Sequence, residues 1–302
     1  MYSIGIDIGG SHITCCMYGH TNKQIIEESL VNRKVNTFGS KDEIIDGWVS
    51  AISETISKTK VSYQGIGFAM PGPFDYYNGI SLIKGVDKLE SLYGLNLRKE
   101  IADRFNLEPQ QVRFINDATA FSVAEASIGK ASKYKRVVAI TLGTGFGSSF
   151  LNETQPIVEG NMVPEGGVLY NKFYNGKLAD EIFSTRGLVG SYKDVSGNVV
   201  KNVRELCDLI NTNKKAAEVF ELFGSKLGCY IKPYLEKFGA EVLVIGGNIS
   251  KAYPYFSKHL QEIIPDIEIY VSNLGEKAAI IGGALLLDDA YYLQLEDTLK
   301  KM

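Results

Sequence analysis

The strongest constraint on this chain is a pattern that occurs twice. Ser3 to Ile8 alternates, with Ile4, Ile6 and Ile8 on one face, and runs into Gly9-Gly10-Ser11 before a second strand-like stretch, Ile13 to Tyr18. Roughly one domain length later, the apolar stretch Val137 to Leu142 enters Gly143-Thr144-Gly145-Phe146-Gly147 and leaves as Ser148 to Leu151. Each unit reads as strand, glycine turn, strand. The separation is too long for a solenoid repeat, so the pair predicts a duplicated α/β architecture with one such hairpin per half. A glycine between strands lets the backbone approach a ligand with no Cβ in the way, and its N–H groups can face phosphate oxygens. Either turn alone could be a plain hairpin turn. Two matched turns, flanked by the hydroxyls of Ser11, Thr141 and Thr144, favour anion binding.

Two commoner phosphate loops do not fit. The glycines at 143, 145 and 147 lack the G-x-G-x-x-G spacing, and a strand follows them rather than the helix that would hold a pyrophosphate. No Gly-Lys-Ser/Thr follows either turn, as a Walker loop requires.

Between the two hairpins, Lys41 to Lys58 has helical spacing of Ile44, Ile45, Trp48, Ile52, Thr55 and Ile56. Tyr63 to Ala69 reads as a strand stopped by Met70-Pro71-Gly72-Pro73, Leu95 to Phe105 as a helix, and Val112 to Ile115 as a strand entering Asn116-Asp117. Ala118 to Ile128 is a helix of small residues. After the second hairpin, 152–192 reads as irregular and able to line a site. Helices are expected at Val203 to Asn211 and Ala216 to Phe238. A buried strand, Glu241 to Ile245, ends in Gly246-Gly247-Asn248. Glu268 to Val271 reads as a short strand and Lys277 to Tyr292 as one long helix. The predicted division is an N-terminal lobe over 1–117 and a C-terminal lobe over 118–287, with 288–302 crossing back to the first.

A net charge of −3 argues against a nucleic acid or an anionic membrane as partner. The longest apolar run, Ala278 to Leu287, is broken by Gly282 and Gly283 and is too short to span a bilayer; Met1 to Ile8 has no basic lead. A cytoplasmic location is the expectation. Cys15, Cys16, Cys207 and Cys229 form no C-x-x-C, so free thiols and no zinc site are expected.

Two aspartates carry the chemistry. Asp7 stands between Ile6 and Ile8, where an unpaired carboxylate is costly; a magnesium ion, or a water of its shell, would satisfy it. Asp117 lies between a strand end and a helix start, a position equally suited to a helix cap and to a base. Phosphoryl transfer needs one group to accept the hydroxyl proton and hold the oxygen in line, and an Asp suffices. Asn116 offers a donor and an acceptor, which suits a sugar hydroxyl.

In family order, these residues resemble the ROK family of repressors, open reading frames and sugar kinases over nearly the whole chain. Asp7-Ile8-Gly9-Gly10-Ser11 resembles its first phosphate motif, Pro71-Gly72 with Asp75 its sugar-domain turn, and Asn116-Asp117-Ala118 its sugar-binding and catalytic motif. Leu142-Gly143-Thr144-Gly145 resembles the second phosphate motif, and Gly246-Gly247-Asn248 the adenosine-side motif. The resemblance implies an actin-like, ribonuclease-H-like fold with the active site between two lobes, ATP with magnesium as donor, and a homodimer. It implies that Asp117 is the base and that Asn116 holds the sugar, phosphorylated at O6 of a hexose or hexosamine.

One segment departs from the family. Glu165-Gly166-Gly167-Val168 stands where a Glu-x-Gly-His and a cysteine-rich zinc loop usually occur. Val168 replaces the histidine and no cysteine follows. Glu165 remains a candidate sugar ligand, and Asp180 or Glu181 falls where a second sugar-binding acid is expected. Packing of Tyr170, Phe173 and Tyr174 is expected to hold the loop in place of zinc. His12 stands where the family often has lysine. Met70 to Asp75 and Asp87 are candidates for choosing the sugar. The altered segment leaves an alternative open: a catalytically silent sugar-binding protein, or a sugar-responsive regulator without a DNA-binding domain.

Overall fold

The computed structural model describes residues 1–86 and 88–302. Asp87, a candidate for sugar choice, lies outside the described residues. The chain forms two compact units, one of residues 1–124 with 276–302 and the other of residues 125–275.

The first unit begins with β1 (Tyr2–Ile8) and β2 (His12–Gly19), paired antiparallel across the first glycine turn. β3 (Val31–Lys34), which sequence periodicity did not reveal, pairs with β2. Helix α1 (Lys41–Ser57) starts where the Ser40 side chain accepts the Glu43 N–H, and it buries Ile44, Ile45, Trp48 and Ile52. β4 (Ile66–Met70) pairs parallel with β1, and β5 (Val112–Asn116) pairs parallel with β4. Between them lies α2 (Leu97–Phe105), its start set by the Asn96 side chain, which accepts the Lys99 N–H. α3 (Asp117–Ser127) follows β5 directly. Trp48, Phe68 and Phe114 meet under the sheet, with Phe68 and Phe114 stacked at 4.9 Å.

The second unit repeats this plan. β6 (Arg136–Leu142) and β7 (Phe146–Asn152) are antiparallel across the second glycine turn. The segment expected to be irregular contains a short 3-10 turn at Glu165–Gly167, a hairpin of Phe173–Tyr174 with Lys177–Leu178, and α4 (Thr185–Ser196). Helix α4 escaped the sequence reading because Gly187 and Gly190 lower its helix propensity. Helix α5 (Lys214–Phe238) is bounded by the Asn213 cap and by Gly239 in a left-handed conformation, φ 69°. β8 (Val242–Gly246) runs parallel to β6, α6 (Tyr253–Ile263) follows, and β9 (Glu268–Val271) runs parallel to β8. The central strand order is thus β2-β1-β4-β5 in one unit and β7-β6-β8-β9 in the other, with the same relative directions in each.

The loop at 165–178 is held differently from expectation. Only Tyr174 packs inward, against Tyr230 and Phe183, whereas Phe173 is 71% exposed and Tyr170 48% exposed. The rest of the hold comes from Leu169, fully buried, whose N–H donates to Ser148 Oγ and whose carbonyl accepts from Tyr230 Oη.

The chain then returns to the first unit as two helices rather than one. α7 (Lys277–Leu285) stops, and α8 (Asp289–Leu299) restarts where the Asp288 side chain accepts the Tyr291 N–H. α7 lies directly on β1 and β4 because both faces are glycine. A Cβ on Gly5 would overlap the Ile280 carbonyl, and one on Gly67 would overlap that of Gly283. Gly282 meets the Ala120 carbonyl of α3 in the same way, so the small residues of α3 serve close packing.

Candidate functional site

In the first unit, the carboxyl ends of three parallel strands carry the predicted residues. The register sets Asp7 beside Ala69 and Met70 beside Asn116. Asp7 at the end of β1, Met70-Pro71-Gly72 after β4, and Asn116-Asp117 after β5 therefore share one sheet edge. That is where open α/β sheets bind ligands, because the chain leaves each strand there through a loop or helix start.

The cap of α3 is supplied by the neighbour of Asp117. Asn116 Oδ1 accepts the Thr119 N–H at 3.2 Å and so caps α3. Asp117 is the first helical residue, and its Oδ1 accepts the Ala118 N–H at 2.8 Å. Burial raises its pKa above the ordinary carboxylate range, opposed by hydrogen bonds from the Ala118 and Asp117 N–H groups and from Asn116. The amide of Asn116 is fixed from its other end as well. Its Nδ2 donates to Tyr76 Oη at 3.2 Å, and Tyr76 Oη donates to the Met70 carbonyl at 3.1 Å. Tyr76 is a partner of the candidate Asn116 that sequence reading missed; only its closeness to Pro71-Gly72 hinted at it.

Asp7 is half-buried, and no hydrogen bond reaches its carboxylate among the described residues. Burial, then the charges of Asp117 and Glu276, push its pKa up to about 7. Glu276, just ahead of α7, was also missed, because an acid in a Gly-Glu-Lys stretch carries no periodic signal. A partnerless carboxylate repelled by two others suits a divalent cation. No group of three or more Asp, Glu, His or Cys able to cage a metal occurs among the described residues. A single carboxylate of this kind could hold a divalent cation such as magnesium only if the ion kept most of its water, with Asp7 as the protein's contribution.

Each glycine turn presents free donors. In the first, Gly9 N–H donates to the His12 carbonyl, while the N–H groups of Gly10 and Ser11 make no hydrogen bond among the described residues. In the second, Gly143 N–H donates to the Gly145 carbonyl, and those of Thr144 and Gly145 are likewise unused. Adjacent exposed N–H groups without partners are able to receive an anion. The second turn is anchored by Thr185, whose N–H and Oγ1 both donate to the Gly143 carbonyl. Gly246 and Gly247 sit beside it, since Gly246 pairs with Thr141 and a Cβ on Gly247 would overlap the Leu142 carbonyl. Asn248 Oδ1 accepts from Lys251.

The acids expected for the sugar have unequal standing. Asp180 Oδ1 accepts the Phe146 N–H at 2.7 Å, and its other oxygen pairs with Arg186. Glu181 Oε2 accepts the Leu178 N–H at 2.9 Å, closing the start of a one-turn helix. Both carboxylates are thus engaged in local structure. Glu165 is exposed and makes no hydrogen bond among the described residues.

Two units of matching strand order, each with a glycine turn, and an aspartate pair at one sheet edge define an α/β protein of the actin-like, ribonuclease-H-like class. Comparison with known proteins makes this specific. The ROK family model matches residues 3–290, and the chain belongs to the ROK family. It is 25% identical over 320 residues to a glucokinase of Thermotoga maritima, covering 95% of this chain and 97% of that one. It is 23% identical over 284 residues to an N-acetyl-D-glucosamine kinase of Haemophilus influenzae, covering 86% and 88%. Its fold matches a ROK hexokinase from Thermus thermophilus at a TM-score of 0.78 and 19% identity, covering 98% and 100%. No helix among the described residues is long and apolar enough to cross a membrane.

Proposed function

We propose that this protein is an ATP-dependent sugar kinase that transfers the terminal phosphoryl group of ATP to a hydroxyl of a hexose or hexosamine, O6 being the natural acceptor. The observation that carries this reading is the Asn116-Asp117 pair. With Asn116 as the helix cap, Asp117 is left as a half-buried carboxylate of raised proton affinity beside a second carboxylate. A capping role does not account for that arrangement, and a base for a sugar hydroxyl does. In this reading Asp117 accepts the hydroxyl proton as the oxygen attacks the γ-phosphorus and the bond from that phosphorus to the bridging oxygen breaks, ADP leaving. Asn116, steadied by Tyr76, positions the sugar with Gly72, and Glu165 supplies an acceptor for sugar hydroxyls.

The turn at Gly9, Gly10 and Ser11 takes the transferred phosphoryl group on the free N–H groups of its last two residues. The turn at Gly143, Thr144 and Gly145 takes the nucleotide phosphates in the same way, and Gly246, Gly247 and Asn248 border the adenosine. Asp7 would hold a hydrated magnesium ion, which when bound would supply charge neutralisation to the nucleotide phosphates. Family relatives that phosphorylate glucose and N-acetylglucosamine support the substrate class. A homodimer in the cytoplasm is part of the same proposal.

The test is a coupled ADP-release assay over glucose, N-acetylglucosamine and mannose, for wild type and Asp117→Ala. Turnover is expected to fall at least a thousandfold while calorimetric sugar binding survives. Near-normal turnover in the variant would remove Asp117 from the base role. Sugar binding without any turnover in the wild type would favour the silent, sugar-sensing alternative.

A further inference from the structure

The first glycine turn has no permanent cation of its own. Residues 7–13 include neither lysine nor arginine, and the ring of His12 is turned onto Ser11, Nδ1 to Oγ at 2.8 Å. Yet a cation is delivered to it from elsewhere in the same unit. Lys88 Nζ lies 2.8 Å from where a Cβ on Gly10 would stand. The backbone at Gly10 is outside the left-handed region, so its conformation does not call for glycine. What the missing side chain leaves is space, and the ammonium of Lys88 fills it.

Three hydrogen bonds fix the segment that brings Lys88 there. The Leu89 N–H donates to the Thr37 carbonyl at 2.7 Å, and Thr37 Oγ1 donates to the Gly10 carbonyl at 3.1 Å. Ser91 Oγ donates to the Gly39 carbonyl at 2.9 Å. The lysine segment is thus tied to residues 37–39, and those are tied to the turn. Leu89 is buried with φ 59° and ψ 14°, a left-handed conformation that costs a non-glycine residue energy and persists only where its surroundings hold it. Strain of this kind next to an anion nest is expected where a side chain must be aimed.

Lys88 also lacks a competing partner. It is half-buried, and among the described residues it makes no ion pair and no hydrogen bond. A lysine ammonium offers three donors and a compact charge, which suits a phosphate oxygen more than any neutral ligand. The free N–H groups of Gly10 and Ser11 lie on the same turn.

We infer that Lys88 is a phosphate ligand of this protein, placing its ammonium on the phosphoryl group seated at the Gly9–Ser11 turn. The inference rests on the kinase reading for the identity of the phosphate, and on geometry alone for the presence of an anion. In the proposed reaction, Lys88 neutralises the equatorial oxygens as charge shifts during transfer, without itself gaining or losing a proton.

The experiment compares wild type, Lys88→Met and Lys88→Arg. Calorimetry measures binding of ATP, tripolyphosphate and adenosine, and the ADP-release assay measures kcat/KM for ATP. For Lys88→Met, binding of ATP and tripolyphosphate is expected to weaken at least tenfold and kcat/KM for ATP to fall about a hundredfold. Adenosine binding, the sugar KM and the thermal midpoint are expected to stay near wild type. Lys88→Arg, which keeps the charge, is expected to retain most of the affinity that Lys88→Met loses, which a merely structural role would not predict. If Lys88→Met binds tripolyphosphate and ATP within twofold of wild type, the inference is overturned. It is equally overturned if the wild type binds neither. Should the wild type bind both but turn over no sugar, the kinase reading fails, and the binding comparison still decides the role of Lys88.

Discussion

Replacing Asp7 by asparagine should stabilise the metal-free protein at pH 8 while destroying its activity. The carboxyl of Asp7 is raised from the ordinary 3.8 to about 7 by burial and by the charges of Asp117 and Glu276. The folded chain therefore holds this proton more tightly than the unfolded chain. The stability this confers is complete below pH 3.8 and is lost as pH rises towards 7. Above that, the wild type carries the full penalty of an ionised carboxylate, about 4 kcal/mol as an upper bound. Asparagine removes the charge but leaves an amide with no hydrogen-bond partner, at a cost of about 1–3 kcal/mol. The net expectation is a variant about 1–3 kcal/mol more stable than wild type at pH 8.

The assay is built into the sequence. Trp48 is the single tryptophan, it is buried in the first unit, and it packs near Phe68 of the strand beside β1. Urea unfolding followed by its fluorescence reports on the unit that holds Asp7, so unfolding of the other unit does not confound it. With EDTA present, the advantage of Asp7→Asn should be largest at pH 8 and vanish or reverse between pH 5 and 4. An advantage that does not change with pH would refute the argument, as would a variant that loses stability as pH rises. Magnesium with a non-hydrolysable ATP analogue should stabilise the wild type more than the variant and so close the gap at pH 8.

Three further substitutions test other links. Gly67→Ala places a methyl group against the Gly283 carbonyl and Leu287, and should cost more than about 3 kcal/mol by the same Trp48 readout, or prevent recovery of folded protein. Gly145→Ala brings a Cβ within 2.9 Å of Asp180 Oδ1 and displaces the acceptor of the Phe146 N–H; a several-fold rise in KM for ATP with a loss of about 1–2 kcal/mol is expected in steady-state kinetics and thermal melts. Tyr76→Phe removes the hydroxyl that links Asn116 Nδ2 to the Met70 carbonyl, and should raise the sugar KM five- to tenfold, a loss of about 1 kcal/mol, while leaving the KM for ATP unchanged.

Much of the frame was legible because it rests on local signals. Alternation in Ser3–Ile8 and Val137–Leu142, glycines at their ends, and the Asn-Asp step after an apolar strand are patterns of adjacent residues, and the structure realises them as β1, β6 and the start of α3. The misreadings have equally local causes. Lys277 to Tyr292 is apolar enough throughout to look continuous, and the break shows only in one cap residue, Asp288, whose side chain starts the second helix after the first has ended at Leu285. Helix α4 has too many glycines to announce itself. Phe173, expected to anchor the loop, is exposed, and the anchoring falls to Leu169 and Tyr230, 61 residues apart in sequence.

The residues of the proposed site that escaped sequence reading share a different property: each acts across a long stretch of chain. Glu276 bears on Asp7 from the start of the returning segment, Tyr76 reaches Asn116, and Lys88 reaches Gly10. No motif spans such distances. The two glycine turns look alike in sequence, yet opposite charges occupy the space their missing side chains leave: a lysine at Gly10, and at Gly145 an aspartate already paired with Arg186. An unpaired cation suits the phosphoryl group in motion, whose charge must be met as it shifts. A turn whose neighbouring charge is already neutralised suits phosphates that stay on the nucleotide. On this reasoning, what separates the two turns chemically is Lys88 and Asp180, which lie far from either turn in sequence.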